Sequence, residues 1–392
     1  MSGKIVYITR SQNKIYGFQS LVSSLEIGLW TVQERLQNQI SSFGYTYELI
    51  DERDVQKYSD QIIFSNDTVF SDSLIKLVLD KKFKFSEQGN VYLNCHWNSS
   101  FCSLPEEIDF QKLPFEAKSE LKIINEPLLK IDLNLPEMVY GKKKFVAAAV
   151  KYFYQKINDW PDLLKAQSLC SRELTAKSAF ILRKVFSEKI LLKLSQFKLA
   201  HKMSNKIGRN CRIHPTAIIE GCVIGDNVEV GPFCYLRACI VGSNVTIREH
   251  SSIKMSSVGN RSYILPCDIL NCYIGSQACI TTSILFHTVI GDGTFLGGAV
   301  GFADLNASRS NISMDQAKGK ITSDQMFLGS MVAEKCFLGA GLLFHSGQRI
   351  HHSTTILNQE MIQKNDMKPS TIYAAKSNKL VSIPKQFLER MS

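Results

Sequence analysis

The sequence predicts two domains of different class: an α/β layer structure, followed by an all-β parallel coil with three short sides per turn. Three observations carry this. In the second half an aliphatic residue directly before glycine recurs at Ile207, Ile224, Val241, Val258, Ile274 and Ile290, in steps of 17, 17, 17, 16 and 16 residues. Between these markers further aliphatic residues stand six apart, as in Ile224, Val230 and Leu236. In the first half, short apolar stretches instead alternate with longer amphipathic ones, which reads as strands and helices in turn. A chain of 392 residues has room for two or three domains, each with a core.

Residues 4–9, KIVYIT, read as the opening strand, and residues 27–40 as a helix with Ile27, Trp30, Leu36 and Ile40 on repeating faces. Residues 45–50 and 61–65 read as strands, the second running into Asn66 and Asp67. A helix is expected over 72–79, capped by Ser71 or Asp72, and a further strand over 91–93. Residues 151–157 and 176–199 read as helical. These elements divide the chain into an α/β domain over 1–165, a helical connector over 166–205, the coil over 206–358 and a tail over 359–392. The connector is basic, with Lys193, Lys198, His201 and Lys202, and its expected role is packing one domain on another.

Six-residue spacing nested in a step of about 17 gives each turn three short strands. The aliphatic residue points inward onto its copy in the next turn, and Gly, Asn or Asp makes the corner, as in Gly225-Asp226-Asn227 and Gly291-Asp292-Gly293. One turn cannot bury its own face, so the core exists only by stacking. The period breaks after Leu296-Gly297. Residues 303–324 are polar, with Asn306, Arg309, Asn311, Asp315, Lys318 and Lys320, and regular steps are expected again from Leu328-Gly329 and Leu338-Gly339. A long excursion from a rigid solenoid points to a neighbouring binding groove.

Lys plus Arg is 46 against 36 Asp plus Glu, and only 21% of residues are charged against 44% hydrophobic, which excludes a disordered or acidic solvating chain. The surplus of positive charge favours anionic partners without choosing among them. Nucleic acid has nothing but that charge in its favour, since no aromatic-basic module or zinc finger is present. Eleven cysteines without a C-x-x-C pair argue against a disulfide framework and a zinc site. The simplest expectation is a reducing, cytoplasmic compartment in which cysteine is a small buried hydrophobe. No signal peptide and no transmembrane segment are expected, because no stretch reaches 18 apolar residues.

Asp67 stands at the end of the strand in IIFSND, where open α/β sheets bind ligands. It is a candidate to hold magnesium beside a nucleotide phosphate, or else it opens an Asx turn. The glycine-rich phosphate loop that nucleotide chemistry usually places after the first strand is missing: ITRSQNKIYGFQS has the single Gly17, which leaves Arg10 and Lys14 to supply charge. In the coil, Arg237 and Lys254 are 17 residues apart, one turn, so they stack about 5 Å apart along the axis. Two cations on one face suit a phosphate dianion.

The coil resembles the hexapeptide-repeat transferases. That resemblance implies a left-handed parallel β-helix, a homotrimer, and acyl donor and acceptor bound in grooves between neighbouring helices. The order of the two domains resembles the GlmU family, which couples a nucleotidyltransferase domain to a β-helix acetyltransferase domain and makes UDP-N-acetylglucosamine from glucosamine 1-phosphate, acetyl-CoA and UTP. SLEIGLWTVQERL (24–36) resembles an early segment of that first domain, Asp67 falls where its magnesium aspartate falls, and Trp160, Asp162, Leu163 and Leu164 in WPDLLKAQ resemble its closing segment. The family's second metal ligand is an asparagine, and the nearest residue here is Gln167. GPFCYLR (231–237) and SSIKMS (251–256) resemble the motifs whose arginine and lysine bind sugar phosphate.

The pattern then departs. The family's histidine is due about twelve residues after that lysine, and the chain has Leu265-Pro266-Cys267 there. IGDGTFLGGAVGFADLN (290–306) resembles the family's glycine-rich stretch but arrives one turn late, with Phe295 and Asp304 in place of asparagines. Acyl transfer needs a base near neutral pH, and His287, in the extra turn just before a corner, is the first candidate, ahead of His345 and His250. The resemblance implies acyl-CoA, foremost acetyl-CoA, as donor and a sugar phosphate or nucleotide sugar as acceptor. It also makes Gly297, Gly298 and Gly301 the oxyanion or acyl-donor region and puts Mg2+ in the first domain. The alternative is a catalytically degenerate sugar-nucleotide-binding or scaffold protein on the same fold.

Overall fold

The structure, a computed structural model, describes residues 5–58, 62–81, 127–133, 145–150, 153–185, 205–282, 284–317, 319–357, 361–362, 368–376 and 379–383. They fall into two compact units: one formed by 1–15, 20–25 and 30–158, the other by 16–19, 26–29 and 159–392. The strand expected over 91–93 lies outside the described residues.

The first unit is mixed α/β. Strand β1 (Ile5–Arg10) lies between β2 (Thr46–Asp51) and β3 (Ile63–Ser65), all parallel. Helix α1 (Val32–Ser42) starts later than its sequence pattern, at a capping box in which Thr31 Oγ1 accepts from the Glu34 N–H and Glu34 Oε2 accepts from the Thr31 N–H. Strand β4 (Thr68–Phe70) leads into α2 (Asp72–Lys81), whose cap is Ser71: its Oγ accepts from the Leu74 N–H at 3.2 Å. Val6, Ile8, Leu36, Ile40, Phe64 and Ile75 form one buried cluster across these elements. Strands β5 (Pro127–Leu133) and β6 (Phe145–Val150) pair antiparallel. The helix expected over 151–157 is instead strand β7 (Tyr154–Lys156), antiparallel to β4. Aromatic residues that can be read as a helical face also fit a pleated edge, and the partner strand decides.

The second unit is a left-handed parallel β-helix. Its first face is eight parallel strands from Lys206–Ile207 to Arg349–Ile350. Its second face runs from Arg212–Ile213 to Thr355–Ile356 and is extended by Ile372–Lys376 and Lys379–Ile383. The third face comes in two parts, five strands from Ile218–Glu220 to Ile284–Phe286, then Gly301–Phe302, Leu343–Phe344 and Met361–Ile362. Ile207, Ile224, Val241, Val258, Ile274 and Ile290 are consecutive partners in one column, which continues through Val332 and Ile350. The solenoid re-enters the first face at Met331–Val332, after the expected Leu328-Gly329; the marker misses this step because Ala333 stands where glycine follows in the other turns.

Close stacking explains that marker. A Cβ on Gly259 would lie 2.5 Å from the backbone nitrogen of Ser276 and 2.6 Å from the Gly275 carbonyl carbon. Side chains at the next position form a ladder: Asp226 Oδ1, Ser243 Oγ, Asn260 Oδ1 and Asp292 Oδ1 each accept from a backbone N–H one turn earlier, at 2.7 to 3.1 Å. Cysteines share inward corner columns with Ser and Thr, as in Cys222, Cys239, Ser256, Cys272 and Thr288. The described cysteines are free thiols, and burial holds those of Cys272 and Cys336 at about 12, far from the thiolate that metal binding or nucleophilic attack requires.

Helix α3 (Trp160–Val185) begins ahead of the expected connector and packs on the outer side of the first face, where Tyr273, Val289, Met331 and Arg349 are fully buried. Residues 26–29 also press on this face: a Cβ on Gly28, itself at φ +71°, would sit 2.1 Å from Ile240 Cγ2. One ion pair ties these pieces together. Arg349 Nη1 and Nη2 donate to Asp159 Oδ1 and Oδ2 at 3.0 and 2.9 Å, its Nε donates to the Asp315 carbonyl at 2.8 Å, and Gln316 Nε2 donates to Asp159 Oδ2 at 2.7 Å.

Candidate active site

On each three-residue strand of the third face the middle residue points inward and the outer two face out. Leu236, Ile253 and Ile269 are buried in the core, while Arg237 and Lys254 are direct partners on adjacent strands, as their spacing predicts. Each cation already has a carboxylate: Glu220 lies 3.9 Å from Arg237 Nε and Asp268 lies 3.4 Å from Lys254 Nζ. The strand beyond Lys254 places Leu270 in this row, and the next places Phe286, so His287 follows two turns on.

His287 occupies the corner after Phe286 with a left-handed backbone, φ 50°. Its ring lies outside the inward columns, yet the residue is only 6% exposed, because the polar excursion folds over it. Its Nδ1 is 2.9 Å from Asp304 Oδ2, and the Phe327 ring is centred 5.7 Å away. A carboxylate only accepts, so Nδ1 carries a proton toward Asp304. Asp304 was legible in the sequence only as a misfit for an asparagine; no local spacing announced the pair.

The third face also carries an apolar cleft of about 520 Å³, lined among others by Ile284, Gly301, Phe302, Ala303, Leu343 and His345; neither His287 nor Asp304 lines it, though Ala303 adjoins Asp304 in sequence. Gly301 is thus in a cleft wall. The N–H groups of Gly297 and Gly301 are spent on the ladder, donating to Leu338 and Leu342 carbonyls at 2.7 and 2.8 Å, and Gly298 takes part through its carbonyl, which accepts from Gly341. His345 is exposed at the cleft. His250 is at another corner, stacked on the exposed Phe233 with centroids 5.3 Å apart.

In the first unit Asp67 does stand at the C-terminal ends of parallel strands, but it is buried and its oxygens are taken. Ser11 Oγ donates to Oδ2 at 3.1 Å, and Ser65 and Thr68 hydroxyls donate to Oδ1 at 2.6 and 3.1 Å. A magnesium ion does not fit this arrangement, and among the described residues no group of three or more His, Cys, Asp or Glu is placed to hold a metal ion. Arg10 is exposed at the end of β1. Gln167, taken as the nearest stand-in for a second ligand, is buried on α3, where Nε2 donates to the Met255 carbonyl.

A second polar cluster lies at the corner ladder. Burial, with the charges of Glu26 and Glu334, pushes the Asp292 carboxyl up to about 6. Glu26 Oε2 accepts from Asn260 Nδ2 at 2.8 Å and from the Ser276 hydroxyl. A carboxyl raised in the folded state stabilises the fold below its ordinary value near 3.8, and that stability is lost as pH rises through about 6. Asp292→Asn keeps the acceptor for the Ser276 N–H and removes the charge. It is expected to match the wild type near pH 4 and to gain on the order of 2–3 kcal/mol at pH 7.5 in urea unfolding.

Two segments of the solenoid, residues 206–238 and 221–254, match the bacterial transferase hexapeptide family (six repeats). No curated protein matches the sequence. Among solved structures, the chain is similar to UDP-N-acetylglucosamine O-acyltransferase (LpxA) from Moraxella catarrhalis RH4, at 16% identity over 48% of this chain and 76% of that one, with a TM-score of 0.22. It is also similar to a point mutant of AntD, an N-acyltransferase from Bacillus cereus, solved with dTDP and coenzyme A, at 13% identity over 53% of this chain and 93% of that one, with a TM-score of 0.19. A third is the Francisella novicida UDP-N-acetylglucosamine acyltransferase, at 15% identity over 48% and 72%, with a TM-score of 0.19. Scores this low give the three structures no weight in assigning chemistry. The repeat match and the strand register together place hexapeptide coils at the heart of the second unit.

Proposed function

We propose that the protein is an acyltransferase of the hexapeptide-repeat type, acting on a phosphate-bearing acceptor such as a sugar phosphate or nucleotide sugar. The observation that carries this reading is the His287–Asp304 pair at a corner of the third face, the face whose strands Ile284–Phe286 and Gly301–Phe302 also line an apolar cleft. In the proposed reaction His287 Nε2 removes the proton from the attacking hydroxyl or amine, whose lone pair adds to the thioester carbonyl of an acyl-CoA. Collapse of the adduct breaks the C–S bond, and the proton passes to the leaving thiolate. Asp304 keeps the imidazole in the tautomer this needs and stabilises the imidazolium. Arg237 and Lys254 would hold the acceptor's phosphate.

The first unit would then be a mixed α/β appendage. The closed hydroxyl ring around Asp67 weighs against nucleotidyl transfer there. The burial of His287 favours one other reading, a catalytically silent solenoid in which the pair only pins the excursion. A homotrimer is part of the proposal and is supported by the aromatic outer column of the second face, in which half-buried Phe295 and exposed Phe337 stack 4.8 Å apart. Among the described residues no helix is long and apolar enough to cross a membrane.

The test is thiol release from acyl-CoA in the presence of a panel of sugar phosphates and nucleotide sugars, with the mass of the protein followed by light scattering. Acceptor-dependent release and acylated product support the proposal. No product with any acceptor, from protein that retains its fold, favours the silent solenoid.

A further inference from the structure

The outer surface of the third face changes character along its length. One outer row reads Glu220, Arg237, Lys254, Leu270, Phe286 in unbroken register, charged at one end and apolar at the other. The other outer row ends at Ile284, which is 54% exposed. Gly301 then presents no side chain, and its strand partner Leu343 is 48% exposed. A Cβ on Gly301 would come within 2.8 Å of Leu343 Cδ2, so the bare glycine lets the Leu343 side chain lie close against it, and the two form one wall of a shallow apolar notch. This notch opens into the cleft of about 520 Å³ whose deeper walls include Phe302 and Phe344. From Lys254 to Leu343 is four strand steps, about 20 Å.

We infer that this face binds a phosphate-bearing amphiphile, with its phosphate on Arg237 and Lys254 and its apolar chain laid past Leu270 and Phe286 into the notch at Gly301. The inference rests on the phosphate reading of the two cations in the proposed function and adds the tail. Charge complementarity fixes the head: Asp268 is a half-exposed counter-ion that a dianion displaces at small cost, while Glu220 is buried, accepts from the Tyr235 hydroxyl at 2.9 Å and stays 3.9 Å from Arg237 Nε. Apolarity fixes the tail. Ile284 and Leu343 expose hydrocarbon on either side of a slot, and a chain laid there removes both from water. A sugar phosphate alone would leave that half of the face uncovered.

The experiment is calorimetric titration of the full chain with n-alkyl phosphates from hexyl to hexadecyl, each below its micellar concentration, so that the longest span the roughly 20 Å to the notch. Inorganic phosphate and decyltrimethylammonium serve as comparison probes. At about 0.8 kcal/mol per buried methylene, affinity is expected to rise about fourfold per carbon until the notch is full. Arg237→Ala with Lys254→Ala should weaken every phosphate at least tenfold and leave the slope. Gly301→Val, which fills the notch, and Leu343→Gln, which removes a wall at an exposed site, should each flatten the slope and leave inorganic phosphate unchanged. A flat series in the wild type, or a slope that survives both notch variants, overturns the tail site. Equal affinity and slope for the cationic probe overturns the whole inference. Chain-length-dependent binding without any acyl transfer would end the transferase reading and leave this inference standing; transfer without a slope would do the reverse.

Discussion

Truncation of Arg349 to alanine is expected to destabilise the β-helical unit by about 3–5 kcal/mol, the range for removing one partner of a buried ion pair. The guanidinium is fully buried, and its Cζ also lies 5.1 Å from the centre of the Tyr16 ring. Without it the Asp159 carboxylate keeps, among the described residues, the lesser donors Trp160 N–H at 2.8 Å and the Gln316 amide. The carboxylate then stays in a dry site with no cation, which is where the cost arises. Urea unfolding followed by tryptophan fluorescence is a direct readout, since Trp160 adjoins Asp159. Arg349→Met combined with Asp159→Leu should recover much of the loss, because an apolar pair removes both charges together. An Arg349→Ala protein within about 1 kcal/mol of wild type would show that water or another donor reaches Asp159.

His287→Ala is expected to reduce turnover by roughly 10²–10⁴-fold with little change in acceptor affinity, the signature of a lost general base rather than a lost contact. Asp304→Asn should give a smaller loss: the amide can donate as well as accept and so no longer fixes the Nδ1 proton. Both variants should keep the fold, since the ring belongs to no inward column. Steady-state rates and a pH–rate profile for the three proteins check this. Unchanged turnover in His287→Ala would assign the histidine to holding the excursion, and exposed His345 would be next in line.

The solenoid was legible because its physics is periodic: each marker aliphatic repeats one environment, so Ile207 to Ile290 are read as a column before any coordinate exists. The stacking of Arg237 on Lys254 follows from the same count. What stayed hidden depends on non-periodic contacts. Asp304 meets His287 because a turn closes at Leu328, whose N–H donates to the Asp304 carbonyl at 2.8 Å, and nothing local in FADLN signals that. The Arg349–Asp159 pair joins residues 190 apart in sequence. Val332 hid the re-entry because alanine follows it instead of glycine. Residues 154–156 read as helix because only the distant partner Thr68–Phe70 makes them a strand. Asp67 was placed correctly at a strand end, but the three hydroxyls that saturate it are Ser11, Ser65 and Thr68, residues too common for their joint role to be visible.

The excursion also has an entropic meaning. Ile290 pairs with Val332, Leu296 with Leu338 and Gly301 with Leu343, so all three faces pair in register across a step of 42 residues where the other turns take 16 to 18. Closing a loop of 42 rather than 17 residues costs only about 0.8 kcal/mol more, because the penalty grows with the logarithm of length. The joint at this point is therefore nearly indifferent to how much chain passes through it. Segments of very different size can be exchanged there while the flanking coils keep their register, so the proposed site can be remodelled by length alone without a new fold.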